Sequence, residues 1–314
     1  MTMRKALIGL VVLALLAALP FVFPVPYIRH IFILAFIYAV VAANWDLSLG
    51  YGGIFNFAHV AFFSIGVYGY GILTKIAGWS PWMALGAGGV LAVCAAVLVA
   101  IPVLRLSGIY IILVTFAFAQ LVLQLVVSQS GLTGGMMGMV GLPTFQIPGY
   151  NLVRDGKLGY YFGALILLVA STGFLRLVVG SRLGLAIRAL RDDPDYAAAR
   201  GISVARQRIL TLAASAFFTG VAGAYYAAYL RIASPDAFGV SLLSLLLSIL
   251  LLGGLASIYG PVVAALGLTF LSETSVDFGP WRHIVIAVVI VAVVRIWPGG
   301  LWSALRRIGR RHPS

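Results

Sequence analysis

Charge is scarce in this chain: only 9% of its 314 residues are charged, and just 8 are Asp or Glu. Soluble domains carry about 25% charged residues, so a water-bathed globule is excluded. With 62% hydrophobic residues and a mean hydropathy of +1.08, the chain reads as an integral membrane protein. Cysteine is nearly absent. The lone Cys94, inside "GVLAVCAAVLVA", permits no internal disulfide and reads as a small apolar packing residue. Lysine occurs only at Lys5, Lys75 and Lys157; Leu158 follows Lys157, so no phosphate-cradling G-x-x-x-x-G-K-[ST] loop exists. Glu273 is the one glutamate, which rules out H-E-x-x-H, and His30, His59, His283 and His312 have no Cys or carboxylate at ligand spacing. Ser64 lies in "FFSIG", without the G-x-S-x-G turn of a nucleophile elbow. Nothing here calls for a metal, a cofactor or bond-making chemistry. Ion-driven carriers also keep costly charged groups at mid-membrane. Here Asp46 and Glu273 are the only acids near spans, both close to predicted ends. Energy for any transport must then come from a separate protein.

What the chain has in quantity is apolar runs of spanning length, about 20 residues each. They predict an all-α, polytopic transmembrane bundle of ten spans near 6–23, 30–49, 52–74, 82–104, 108–128, 159–179, 208–230, 240–253, 260–275 and 282–297. No linker divides residues 1–314, so one membrane domain is expected. The basic start followed by an apolar run lacks an A-x-A-like cleavage site and reads as an uncleaved first helix. Segment 240–275 admits one kinked span or two short ones. The Gly253–Gly254 and Gly260–Pro261 pairs supply turn chemistry for two. Ten spans with an inner N-terminus put fifteen Lys/Arg on the cytoplasmic side and six outside, as the positive-inside rule favours. The net charge of +13 is then orientation charge facing an anionic leaflet, not a nucleic-acid surface.

Two connections stand out. Residues 129–158 form a long Gly/Pro-rich external segment, and residues 180–207 form the main cytoplasmic loop. Inside that loop Asp193 and Pro194 make an N-cap and first-turn signal, and Gly201 is a natural C-terminal stop. They delimit a short helix with Ala197, Ala198 and Ala199 in its body and Arg188 and Arg191 beside it. Such a helix suits docking into a partner's groove; an ordinary solvated loop is the competing reading.

The least lipid-like membrane stretch is "NWDLSLGYGGIFNFAHVAFFSIGVYGYG", from Asn44 to Gly71. Irregular, glycine-rich backbone is tolerated at membrane depth only under protein cover or beside a water-filled cavity. Asn44, Asn56 and His59 need partners there, and the three-residue spacing of Asn56 and His59 places them on one helix face. Gln120 and Gln124, one turn apart, form a second polar stripe. Each set either lines a solute path or serves as interhelical hydrogen-bond glue. Thr115 lies off the stripe and is expected to bond back to its own helix.

Five ordered motifs resemble those of branched-chain amino acid ABC importer permeases: "NWDLSLGYGGIFNFAHVAFFSIGVY", "LRLSGIYIILVTFAFAQ", "TGGMMGMVGLP", "SRLGLAIRALRDDPDYAAARGISV" and "LGGLASIYGPVVAAL". The resemblance covers nearly the whole chain. It implies an M-type permease subunit in a bacterial inner membrane, beside a homologous second permease, two cytoplasmic ATP-binding subunits and a periplasmic solute-binding protein. It also implies that 44–68, including Tyr68, lines or gates the path, and that 181–204 is the coupling loop. Met136 and Met137 stand where that family often carries Ser or Asp. Related permeases take urea, short amides or aromatic carboxylates, which keeps those solutes open beside branched-chain amino acids. A self-powered transporter or channel is the rival from another class, and it lacks an ion-coupling residue here.

Overall fold

The computed structural model describes residues 2–146, 157–275, 279, 281–296 and 299–303. Its helices are α1 (Thr2–Val22), α2 (Pro26–Asp46), α3 (Ala58–Lys75), α4 (Pro81–Val103), α5 (Ile109–Ser128), α6 (Ser130–Thr133), α7 (Leu158–Gly180), α8 (Arg182–Asp192), α9 (Pro194–Ala199), α10 (Val204–Leu230), α11 (Val240–Gly253), α12 (Gly260–Thr274) and α13 (Trp281–Ile296). Each of the ten expected spans corresponds to one of these helices. Five are long and apolar enough to cross a membrane outright: α2 with its extension to Tyr51, α4, α5, α7 and α10.

Helix α2 is the axis of the bundle. Within its most apolar window 94% is buried, against 22% for α5. It packs against α7, α10, α11 and α12, while α3, α4 and α10 form a second tight group. That group closes through glycine. Gly66 of α3 and Gly88 of α4 lie against Gly220 of α10, where a Cβ would collide with backbone, so absent side chains let three helices touch as small residues do in membranes.

Connections gather at two ends. At one end Arg231 donates to the Leu142 carbonyl, Lys75 to Val140, and Met139–Val140 (β1) pairs antiparallel with Ile232–Ala233 (β2). At the other, Arg208 reaches the Val103 and Leu106 carbonyls and Arg191 reaches Gly50. Arg105, Arg182, Arg188, Arg191, Arg200, Arg206 and Arg208 sit at this second end, whereas Arg29, Lys75, Lys157 and Arg231 sit at the first. Arg154 and the tail arginines 306, 307, 310 and 311 lie outside the described residues.

Three local outcomes depart from or sharpen the sequence reading. The third span begins at Ala58 rather than near 52, because α2 ends in a π-turn over Leu47–Tyr51 and residues 52–57 are irregular. Segment 240–275 is two helices, with Gly254 at φ +91° breaking them apart. By a 1.5 Å rise per residue, α11 and α12 are only about 21–22 Å long, short of the ~30 Å hydrocarbon core. Residues 182–192, read as loop, form the helix α8.

Candidate functional site

The irregular stretch 52–57 is held by a buried polar node. Asn56, Asp46, Ser48, Asn44 and His59 all have essentially no exposed surface. Asn56 Nδ2 donates to Ser48 Oγ at 3.1 Å and to the Ile54 carbonyl at 3.0 Å, which fixes its amide orientation. Its Oδ1, an acceptor only, faces His59 Nδ1 at 3.0 Å, so Nδ1 carries the proton. His59 stacks on Trp45 with centroids 5.5 Å apart, and Trp45 Nε1 donates to the Asn56 carbonyl at 2.8 Å. Asn56 and His59 do meet, but through a turn: Asn56 precedes the helix instead of sharing its face.

On α2, Asn44 donates to the Val40 carbonyl and to Ser171 Oγ on α7. Asn44 Oδ1, His59 Nε2 and the Tyr68 hydroxyl are buried with no hydrogen-bond partner. Such atoms cost about 1–3 kcal/mol each when left unsatisfied. Gln120 is half-buried and Gln124 exposed on α5, away from the node. Thr115 bonds back to Ile111 as expected, at 2.7 Å, and also accepts from the Phe57 amide at 2.9 Å.

A cleft of about 790 Å³ opens at the end that carries β1 and β2. Its wall on α11 presents Ser241, Ser244 and Ser248, spaced as one helix face, and Tyr38, Tyr226, Asp236 and Ser272 face it from other segments. None of Asn44, Asn56, His59, Tyr68, Gln120 or Gln124 lines it. Aromatic rings connect it to the node: Tyr38 lies 6.4 Å from Tyr226, and Tyr226 lies 5.3 Å from Phe63, one turn of α3 from His59. The serine ridge was visible in "SLLSLLLS", but Tyr38, Tyr226, Asp236 and Ser272 come from four other segments and no spacing joins them.

At the opposite end α9 forms as its residues dictate. Asp193 caps it by accepting from the Tyr196 amide at 2.9 Å, and Pro194 occupies the first turn. Gly201 ends it at φ +84°, while Ile202 and Gly201 amides return to the Ala197 and Ala198 carbonyls. Ala197 is buried and Ala198 exposed, so the helix offers one face outward. The two arginines are engaged within the chain. Arg188 bonds the Gly184 and Val179 carbonyls, and Arg191 donates to the Gly50 carbonyl at 2.7 Å.

A family profile described as branched-chain amino acid transport system / permease component matches residues 27–294. The "high-affinity branched-chain amino acid transport system permease protein LivM" of Escherichia coli K12 is 28% identical over 97% of this chain and 76% of its own length. The protein of the same name from Salmonella typhimurium LT2 is 28% identical over 86% of this chain and 68% of its own. No solved structure matches significantly. With its glycine-packed helical bundle and a family profile covering most of the chain, this protein belongs to the branched-chain amino acid transport permease family and is a multi-pass membrane permease component.

Proposed function

We propose that this chain is the permease subunit of an ATP-driven ABC importer for a small amino-acid-like solute, with branched-chain amino acids as the favoured class. A periplasmic binding protein delivers the solute to the cleft end. Two ATP-binding subunits dock on α8–α9 at the other, and a homologous second permease completes the pathway. The cleft carries this reading: a 790 Å³ opening with a hydroxyl-bearing wall, inside a bundle of this family. Hydroxyls give a hydrated zwitterion replacements for lost water, and the leucines between them accept an apolar side chain.

The aromatic rings and the buried node below the cleft fit a closed inner gate. Atoms left unpaired at Asn44, His59 and Tyr68 are costly as packing alone. They gain partners if the path opens past them in another state of the cycle. Clustering of arginines at the α8–α9 end supports a cytoplasmic placement there, in a bacterial inner membrane.

The test is uptake into proteoliposomes holding this chain, its second permease and the ATP-binding subunits, with binding protein added outside. Leucine uptake that needs both ATP and binding protein is expected. Ser244→Trp should reduce it at least tenfold without loss of the assembled complex. Uptake driven by an ion gradient without ATP would favour the secondary-transporter reading.

A further inference from the structure

The buried carboxylate of Asp46, a member of the polar node, also clips together two segments far apart in the chain. Oδ1 accepts from the Ala256 amide at 2.9 Å and Oδ2 from the Ser257 amide at 2.7 Å, across more than 200 residues of chain. Those amides belong to the break between α11 and α12, where helix hydrogen bonding is interrupted and freed, buried N–H groups need an acceptor. Ala256 sits at φ +56° in that break, a left-handed conformation that a non-glycine residue holds only when its surroundings impose it.

On the other side of Asp46 is the π-turn. Gly52 N bonds to Leu47 O, five residues back, and Gly50 packs so closely on Asp46 that a Cβ there would overlap Oδ1 and crowd the Ala256 nitrogen. The carbonyl of the same Gly50 accepts from Arg191 of α8. An unbroken series of contacts therefore runs from α8, next to the docking helix α9, through Gly50 and Asp46 to the break at the foot of α11. The upper part of α11 is the serine wall of the cleft.

We propose that Asp46, Gly50 and Arg191 form the joint through which motion at α8–α9 is passed to the α11–α12 hairpin. This inference rests on the permease reading given above and deepens it by naming the positioning residues. A π-turn suits the task. It holds one residue more than an α-turn and can release it, so it has two discrete arrangements instead of a continuous bend. Displacement of α8 pulls on the Gly50 carbonyl, the π-turn changes register, and the carboxylate carries the Ala256–Ser257 backbone with it.

The experiment uses the whole complex in proteoliposomes and reads solute molecules moved per ATP hydrolysed, normalised to assembled complex. Asp46→Asn keeps the shape but places an amide N–H₂ against one of the two backbone donors. Arg191→Ala removes the α8 link from a site at the bundle end, and is the variant to read should Asp46→Asn assemble poorly. Each should lower solute moved per ATP about tenfold, the double variant should be no worse than either single one, and Arg191→Lys should recover part of the loss. An unchanged ratio in either variant, even with less complex recovered, would make the clip a structural staple and overturn the joint. Multiplying effects in the double variant would also overturn it, since independent sites do not share a path. If the wild-type complex showed no ATP-dependent uptake, the permease reading itself would fall, and the joint with it.

Discussion

At the scale of single residues, the polar node shows where spacing is informative and where it misleads. Asn56 and His59 were paired by their separation of three, and they do bond. The helix that motivated the pairing, however, starts only at Ala58, so the bond is made by a turn whose shape depends on Trp45 and Ser48 from the preceding helix. Thr115 was legible because a hydroxyl in an apolar helix has its own i−4 carbonyl within reach. Its second role, accepting from Phe57, needed the fold. The His59 geometry gives a prediction. His59→Phe preserves the ring stacked on Trp45 but strips Asn56 Oδ1 of its donor, a change of about 1–3 kcal/mol for a buried acceptor. The purified complex should melt a few degrees lower while still assembling, and ATP-dependent uptake should fall at least tenfold. Normal uptake with the lowered melting point would make His59 a packing residue only.

Among elements, short signals with a defined mechanism were legible and amphipathic ones were not. Helix α9 was bounded to within a residue because its cap, its first-turn proline and its terminal glycine each act locally. The hairpin of α11 and α12 was readable from Gly254 and Pro261 for the same reason. Helix α8 was missed: at 11 residues it is too short to read as a span, and it is fixed by packing of Ile187 and by Arg188 and Arg191 bonding to carbonyls elsewhere in the fold. Those two arginines, read from the sequence as flanking the docking helix, already hold their own chain together. The exposed face of α9 is therefore the better docking candidate. Ala198→Glu places a charge on that face, so it should express and fold normally but recover at least tenfold less ATP-binding subunit in co-purification. Ala197→Glu would bury its charge and should lower the yield of folded permease as well. Equal, wild-type recovery of the ATP-binding subunit from Ala198→Glu would remove α9 from the interface.

The whole molecule has an orientation that neither residues nor elements decide alone. Ten helices of alternating direction leave two ends, one rich in arginine and bearing α8–α9, the other bearing the β1–β2 pair and the cleft. Long-range attraction to an anionic inner leaflet and the energetic barrier to moving Lys and Arg across the bilayer both favour the arginine-rich end inside. If so, the cleft faces the delivered solute and the docking helix faces the ATP-binding subunits, the only arrangement in which both proposed partners reach their surfaces. Cys94 lies exposed on α4 and contributes no bridge, so Cys94→Ala provides a quiet background for labelling. On it, Ala198→Cys should react with a membrane-impermeant maleimide only in inside-out vesicles. Ser241→Cys, on the cleft wall, should react from the outside of intact cells, and more slowly once saturating solute-loaded binding protein is present. Labelling of Ala198→Cys from outside would invert the bundle, and with it both the docking surface and the direction of transport.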